Sequence, residues 1–140
     1  MAASRLGAGK VLAFDVDPDC EPVVKENCLQ NGIENVKAFT ANILGDEKAL
    51  QAVREEGPFD MAVANILAPV IIALSEKGVV DSLVRPGGVF ITSGILSEYA
   101  ADVKKAMEEN DSWLVKDVPS LGEWVQITAE RKENGCKNSK

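Results

Sequence analysis

Residues 10–17 read KVLAFDVD, and Pro18 follows them. The segment is apolar through Phe14 and then turns acidic at Asp15 and Asp17. A short apolar run bounded by turn signals is consistent with a buried strand. Pro18 fits the first turn of a helix, where its missing N–H costs nothing, and Asp17 stands where a capping carboxylate belongs. The helix is expected over roughly 18–31, carrying Val23, Val24, Asn27, Cys28 and Leu29. Asn31-Gly32 ends it, with Gly32 as the left-handed cap.

The same alternation continues outward from this unit. NVKAFTANI, residues 35–43, reads as a second strand, and 46–56 as a short polar helix closed by Gly57-Pro58. FDMAVANIL, residues 59–67, is nearly all apolar after Asp60, as a parallel strand covered on both faces would be. Residues 69–84 are expected to form an apolar helix with Val70, Ile71, Leu74, Val79, Val80 and Leu83 inward. Pro86-Gly87-Gly88 then makes a turn, and VFITSG, residues 89–94, a fourth strand. Residues 97–110 have helical periodicity, with Tyr99, Val103, Ala106 and Met107 on one side. WLVKDVP and EWVQITAER supply two last strands, close enough in sequence to pair antiparallel, and ENGCKNSK reads as a frayed tail. Upstream, MAASRL reads as the last turn of a helix with Gly7 as its cap. The expected fold is therefore α/β: a right-handed, doubly wound, three-layer α/β/α arrangement around a mostly parallel sheet, with an antiparallel strand pair at its C-terminal end. The expected domain is a single one over 1–132, with 133–140 as a disordered tail.

Bulk properties narrow the function classes. The chain has 140 residues, 46% hydrophobic and 26% charged, and a net charge of −7. That charge disfavours a primary nucleic-acid role, which needs a basic stripe against phosphates. No run approaches the roughly 18 apolar residues of a membrane span, and MAASRLGAGK lacks a signal peptide's apolar stretch. A cytoplasmic protein without membrane or direct nucleic-acid partners is expected. The sequence has three cysteines and no histidine. Cys20 and Cys28, eight residues apart on one expected helix, would be separated by about 12 Å, too far for a disulfide. The absence of histidine removes histidine-based triads and metal sites, so no metal is expected.

Ligands of wound sheets bind beyond the C-terminal ends of strands. The residues falling there are Asp15 and Asp17, Asn42, Asn65, and Ser93-Gly94. A carboxylate accepts hydrogen bonds through both oxygens and so suits a ribose diol. Asp15 either does this or caps the next helix; the favoured division gives Asp15 the ribose and Asp17 the cap. The amide of Asn65 both donates and accepts. It either holds an incoming amine by its N–H groups or makes a local turn. Asn42 is an adenine contact or a plain turn residue. Ser93-Gly94 either lets the backbone pass close to a ligand or simply ends a strand. Gly7-Ala8-Gly9-Lys10 is not a phosphate loop, because Ser4 stands where the first glycine belongs.

FDVDP, ENCLQNGI, VANILAP, RPGG, SGIL and GEWVQITAERK, in this order and spacing, resemble the bacterial ribosomal protein L-eleven methyltransferase (PrmA) family. The likeness covers residues 1 to about 132. VANILA followed by SGIL and EWV carries most of its specificity. The resemblance implies a class I, Rossmann-like fold with strand order 3-2-1-4-5-7-6. It implies S-adenosylmethionine as cofactor and methyl transfer to amino groups of a ribosomal protein. Carried over, Asp15 is the ribose acid, Val16 and Asn42 belong to the cofactor-binding set, and Asn65 serves both binding and catalysis. Asn42 departs from the carboxylate common at its place in related enzymes. The family's N-terminal recognition domain, first strand and D-x-G-x-G-S-G-type loop have no counterpart here, so the strands at 10–15 and 59–65 are expected to face an unfilled slot. An open apolar edge invites pairing. The alternative reading is accordingly a non-catalytic module stabilised by self-association or a partner chain. A nicotinamide-dinucleotide domain, which also uses a strand-end acid, has no obvious place for VANILA and SGIL.

Overall fold

The structure, a computed structural model, describes residues 1–133. These form two compact units, residues 1–50 and from 51 onward.

In the first unit α1 (Ala2–Arg5) leads into β1 (Val11–Asp15), α2 (Cys20–Gln30) and β2 (Val36–Thr40). Gly7, at φ +103°, turns the chain out of α1 as the sequence predicts. β1 and β2 are parallel and in register from Val11 opposite Val36 to Asp15 opposite Thr40. The crossover is α2, and it starts two residues later than expected, at Cys20. The reason is local: the Asp17 carboxylate accepts the Asp19 N–H at 2.9 Å, making a side-chain turn over Pro18 before the helix begins. Pro22 then sits in the first turn, where no intrahelical donor is lost. Gly32, at φ +62°, follows the C-terminal end of the helix, and Ile33 N–H bonds back to Cys28 O at 2.9 Å. Cys28, Ile33, Ala38 and Ala41 are buried, and the Phe14 and Phe39 rings pack with centroids 5.4 Å apart. Val23 and Leu29 are exposed, so α2 is a thin, one-sided cover.

In the second unit α3 (Glu47–Glu56), whose first residues belong to the first unit, is capped by Asp46, which accepts the Lys48 N–H at 2.9 Å. β3 (Phe59–Asn65), α4 (Ala68–Glu76), a 3-10 turn (Val80–Ser82), β4 (Val84–Leu96), α5 (Ser97–Glu109), β5 (Trp113–Asp117), β6 (Ser120–Leu121) and β7 (Trp124–Arg131) follow. The sheet order is β3-β4-β7-β5, with β6 beside β7. β3 and β4 are parallel, whereas β7 is antiparallel to both β4 and β5. The sheet is thus mixed, with more antiparallel pairing than expected, because β7 inserts between β4 and β5. This order matches the 4-5-7-6 stretch of the implied topology, and β1-β2 matches its 2-3 stretch.

The expected helix over 69–84 is divided. Gly78 adopts φ +62° just past α4, and only the 3-10 turn continues toward β4. Pro86-Gly87-Gly88 lies within β4 as a bulge, where the register with β3 shifts between Phe59 and Met61. A side chain at Gly88 would meet the Arg85 and Asp60 carbonyl oxygens at 2.8 Å, so only glycine lets the two strands close here. Ala62, Phe90, Ile127 and Ala129 lie on one face of the sheet, where Ile71, Leu74, Val103 and Met107 also become buried. Trp113 completes this core, its ring 5.6 Å from that of Phe90. Tyr99, expected inside, is 44% exposed.

Among the described residues β1 pairs only with β2, and β3 only with β4 on one of its edges. Met61 and Val63 on β3 are 52% and 66% exposed. The outer edge and one face of β3 therefore meet solvent among the described residues, and the strand is not covered on both faces as its apolar run suggests.

Candidate functional site

The candidate residues fall into two groups, one in each unit, and each group stands at the C-terminal end of parallel strands. In the first unit Asp15 closes β1. Its backbone oxygen accepts the Ala41 N–H at 2.9 Å, which fixes the strand end beside the residue leading to Asn42. The Asp15 side chain is exposed, and Oδ1 accepts the Asp17 N–H at 3.0 Å. Oδ2 has no protein donor among the described residues, leaving acceptor capacity outward. Val16 follows as a 66% exposed apolar side chain. The acid and the apolar residue are thus displayed together, as a ribose diol and an adjoining ring would need.

Asn42 is used locally. Its Oδ1 accepts the Gly45 N–H at 3.0 Å and the Leu44 N–H at 3.3 Å, and its backbone oxygen accepts the Asp46 N–H at 2.9 Å. The turn role left open by the sequence is present here, and Nδ2 remains for any further contact.

Two further features lie near Asp15. Glu21 on α2 accepts Lys25 Nζ at 2.5 Å and Thr40 Oγ1 at 3.0 Å, tying the helix start to the end of β2. The Lys25 ammonium, aided by Thr40, holds the Glu21 carboxyl below its ordinary range. The Cys20 thiol is pushed up, first by desolvation and then by the Asp15, Asp17 and Asp19 carboxylates around it. The Glu21–Lys25 pair follows the i,i+4 helix spacing, whereas the Cys20 effect comes from how the turn after β1 folds back.

In the second unit Asn65 closes β3 and pairs in parallel register with Ser93 of β4. Its side chain is exposed, and the carboxamide makes no hydrogen bond to another described residue. Beyond it, Leu67 O accepts the Val70 and Ile71 N–H groups to start α4, with Pro69 in the first turn. Asn65 is therefore the last residue of the strand and not the helix cap. Opposite it, β4 loses register with β7 between Thr92 and Ile95, and Gly94 adopts φ +72°. The two candidates Asn65 and Ser93-Gly94 are brought together. A concavity of about 490 Å³ lies elsewhere, at the C-terminal ends of α4 and α5, lined by Glu76, Lys77, Asp81 and Glu109. Crossover helices run against their strands, so that hollow is at the opposite rim from Asn65. Among the described residues no cluster of acids or cysteines could hold a metal ion, and no helix is long and apolar enough to cross a membrane.

The parallel crossovers and the β3-β4-β7-β5 order are those of the Rossmann-like fold of class I methyltransferases. A solved ribosomal protein L11 methylase from Lactobacillus delbrueckii subsp. bulgaricus superposes with a TM-score of 0.79 at 31% identity, over 94% of this chain and 63% of that one. The family model "Ribosomal protein L11 methyltransferase (PrmA)" matches residues 1–132, and the chain belongs to this family. A ribosomal protein L11 methyltransferase of Agathobacter rectalis is 36% identical over 94% of this chain and 40% of its own length. One from Lachnoclostridium phytofermentans is 31% identical over 91% of this chain and 41% of its own. The chain thus spans about two fifths of these relatives.

Proposed function

We propose that the chain carries the C-terminal strand ends of an S-adenosylmethionine-dependent methyltransferase acting on amino groups of a ribosomal protein. The observation that supports this most is the family match over residues 1–132, joined to a carboxylate at the end of β1 with one oxygen held by Asp17 N–H and an exposed carboxamide at the end of β3.

The strand-end residues of each unit, taken separately, suit parts of the cofactor. Asp15 presents an acceptor-only group to a diol, Val16 an apolar surface, and Asn65 both a donor and an acceptor. Asn42 contributes less, since its Oδ1 is already occupied by Leu44 and Gly45. S-adenosylmethionine supplies a methyl carbon on a sulfonium. Bound there, it would donate that methyl to a neutral amine and leave as the thioether, the amine's proton passing to solvent. Asn65 Oδ1 accepts an N–H of the incoming neutral amine and so aims its lone pair. Such alignment is the main source of rate in a direct displacement, where the reacting atoms must approach to about 3–3.5 Å. No side chain in either group is a dedicated base; the proton leaves to solvent.

The test is methyl transfer itself. The chain is incubated with S-adenosylmethionine and a bacterial ribosomal L11 protein, and methylated amines are read by mass spectrometry. The expected result is incorporation that falls by about 10²-fold or more in Asn65→Ala, the scale of losing a positioned polar group at a reacting centre. Incorporation unaffected by Asn65→Ala would remove that residue from the chemistry.

A further inference from the structure

We propose that Gly94 is a positioning residue for Asn65, its missing side chain and left-handed backbone forming the seat in which the Asn65 carboxamide lies. The inference rests on the role assigned to Asn65 above.

Three observations within one unit carry it. β4 departs from its ladder with β7 at Ser93-Gly94, immediately opposite the end of β3. Gly94 holds φ +72°, a conformation that a side chain disfavours. A Cβ built on Gly94 would overlap Asn65 Oδ1 and stand 3.5 Å from its Cγ. The atoms obstructed belong to Asn65 alone. A side chain at residue 94 would therefore turn the carboxamide out of its position, at little cost to the surrounding core. Bulges beside strand ends serve to re-aim a side chain. Here the bulge withdraws the backbone of β4 by the space the amide occupies. The neighbouring glycine of the same unit, Gly122, shows the contrast: it has φ +61°, yet nothing lies within 4 Å of its built Cβ. Gly122 is there for its turn alone, whereas Gly94 is also there for Asn65.

The test separates backbone strain from displacement of the amide. The ¹H–¹⁵N resonances of the Asn65 carboxamide are followed in Gly94→Ala, Gly94→Asn and Gly122→Ala. Asparagine tolerates positive φ, so Gly94→Asn adds a Cβ while sparing the backbone should Gly94→Ala fold poorly. The expected result is that both Gly94 variants displace the Asn65 resonances and Gly122→Ala leaves them in place. Asn65 resonances unmoved by either Gly94 variant, or moved as far by Gly122→Ala, would overturn the proposal. Methyl transfer gives the second arm. Gly94→Ala should lower turnover and add nothing to Asn65→Ala. A loss that multiplies with that of Asn65→Ala would also overturn it. Absence of transfer in the unaltered chain would count against the proposed function and not against the seat, which the resonances report independently.

Discussion

Asp15 ends β1, and the chain beyond it folds back so that its carboxylate and those of Asp17 and Asp19 act on Cys20. That its neighbours Asp17 and Asp19 would fold back around Cys20 was not legible, because the turn depends on a side chain accepting a backbone N–H two residues on. The consequence is measurable. Desolvation and three carboxylates disfavour the Cys20 thiolate, and the thiolate is the nucleophile. Cys20 should therefore alkylate more slowly near neutral pH than an unhindered peptide thiol, and Asp17→Asn should speed it. Peptide mapping after timed iodoacetamide treatment reads the rate at Cys20 separately from the other cysteines. Asn65 was visible as a strand-end amide, but its seat was not. SGIL gives no sign that Gly94 takes positive φ, and the overlap with Asn65 exists only after β3 and β4 are paired.

Among the elements, most strands were read to within a few residues, since apolar runs between turn residues have few alternatives; β4 starts five residues before the expected 89, through the bulge read as a turn, and β6 was not read. Helix ends were read less well. The run over 69–84 resumes its apolar pattern at Val79 and Val80 after Ser75-Glu76-Lys77, so periodicity alone continued the helix through Gly78, where the backbone turns left-handed. The segment after that break is held by Asp81, whose Oδ1 accepts Trp113 Nε1 at 2.6 Å and Asn110 Nδ2 at 3.2 Å. Trp113 is 1% exposed, so its N–H has no recourse to water. Asp81→Ala should cost about 1–3 kcal/mol, the penalty for a buried donor left unpaired, as a shift of the chemical-denaturation midpoint. At the other end of the chain, α2 is tied to β2 through Glu21. A carboxyl held below its ordinary value of 4.5 adds stability that is complete above that value. The contribution disappears as pH falls through the depressed folded value. Denaturation curves across the acid range should show this loss in the unaltered chain, and Glu21→Gln should flatten it.

At the scale of the whole molecule, the class of fold follows from the alternation of strands and helices, and the family from VANILA, SGIL and EWV at their spacings. The mixed character of the second sheet was only partly legible. Two C-terminal strands could be paired from their nearness in sequence, but the insertion of β7 between β4 and β5 is a long-range choice that no local pattern records. The exposed Met61 and Val63 are the physical basis of the alternative reading as a non-catalytic module. An apolar strand with one neighbour is a surface that favours association. The two readings differ over whether the strand ends hold a ligand.

Calorimetric titration with S-adenosylmethionine, with NAD as comparison, of the chain joined to the family's first strand and D-x-G-x-G-S-G-type loop tests that difference directly. The account predicts saturable binding of S-adenosylmethionine, none of NAD, and a weakening of about 1–3 kcal/mol in Asp15→Ala from the lost charge-assisted hydrogen bonds. No heat with S-adenosylmethionine, or an affinity indifferent to Asp15→Ala, would contradict it.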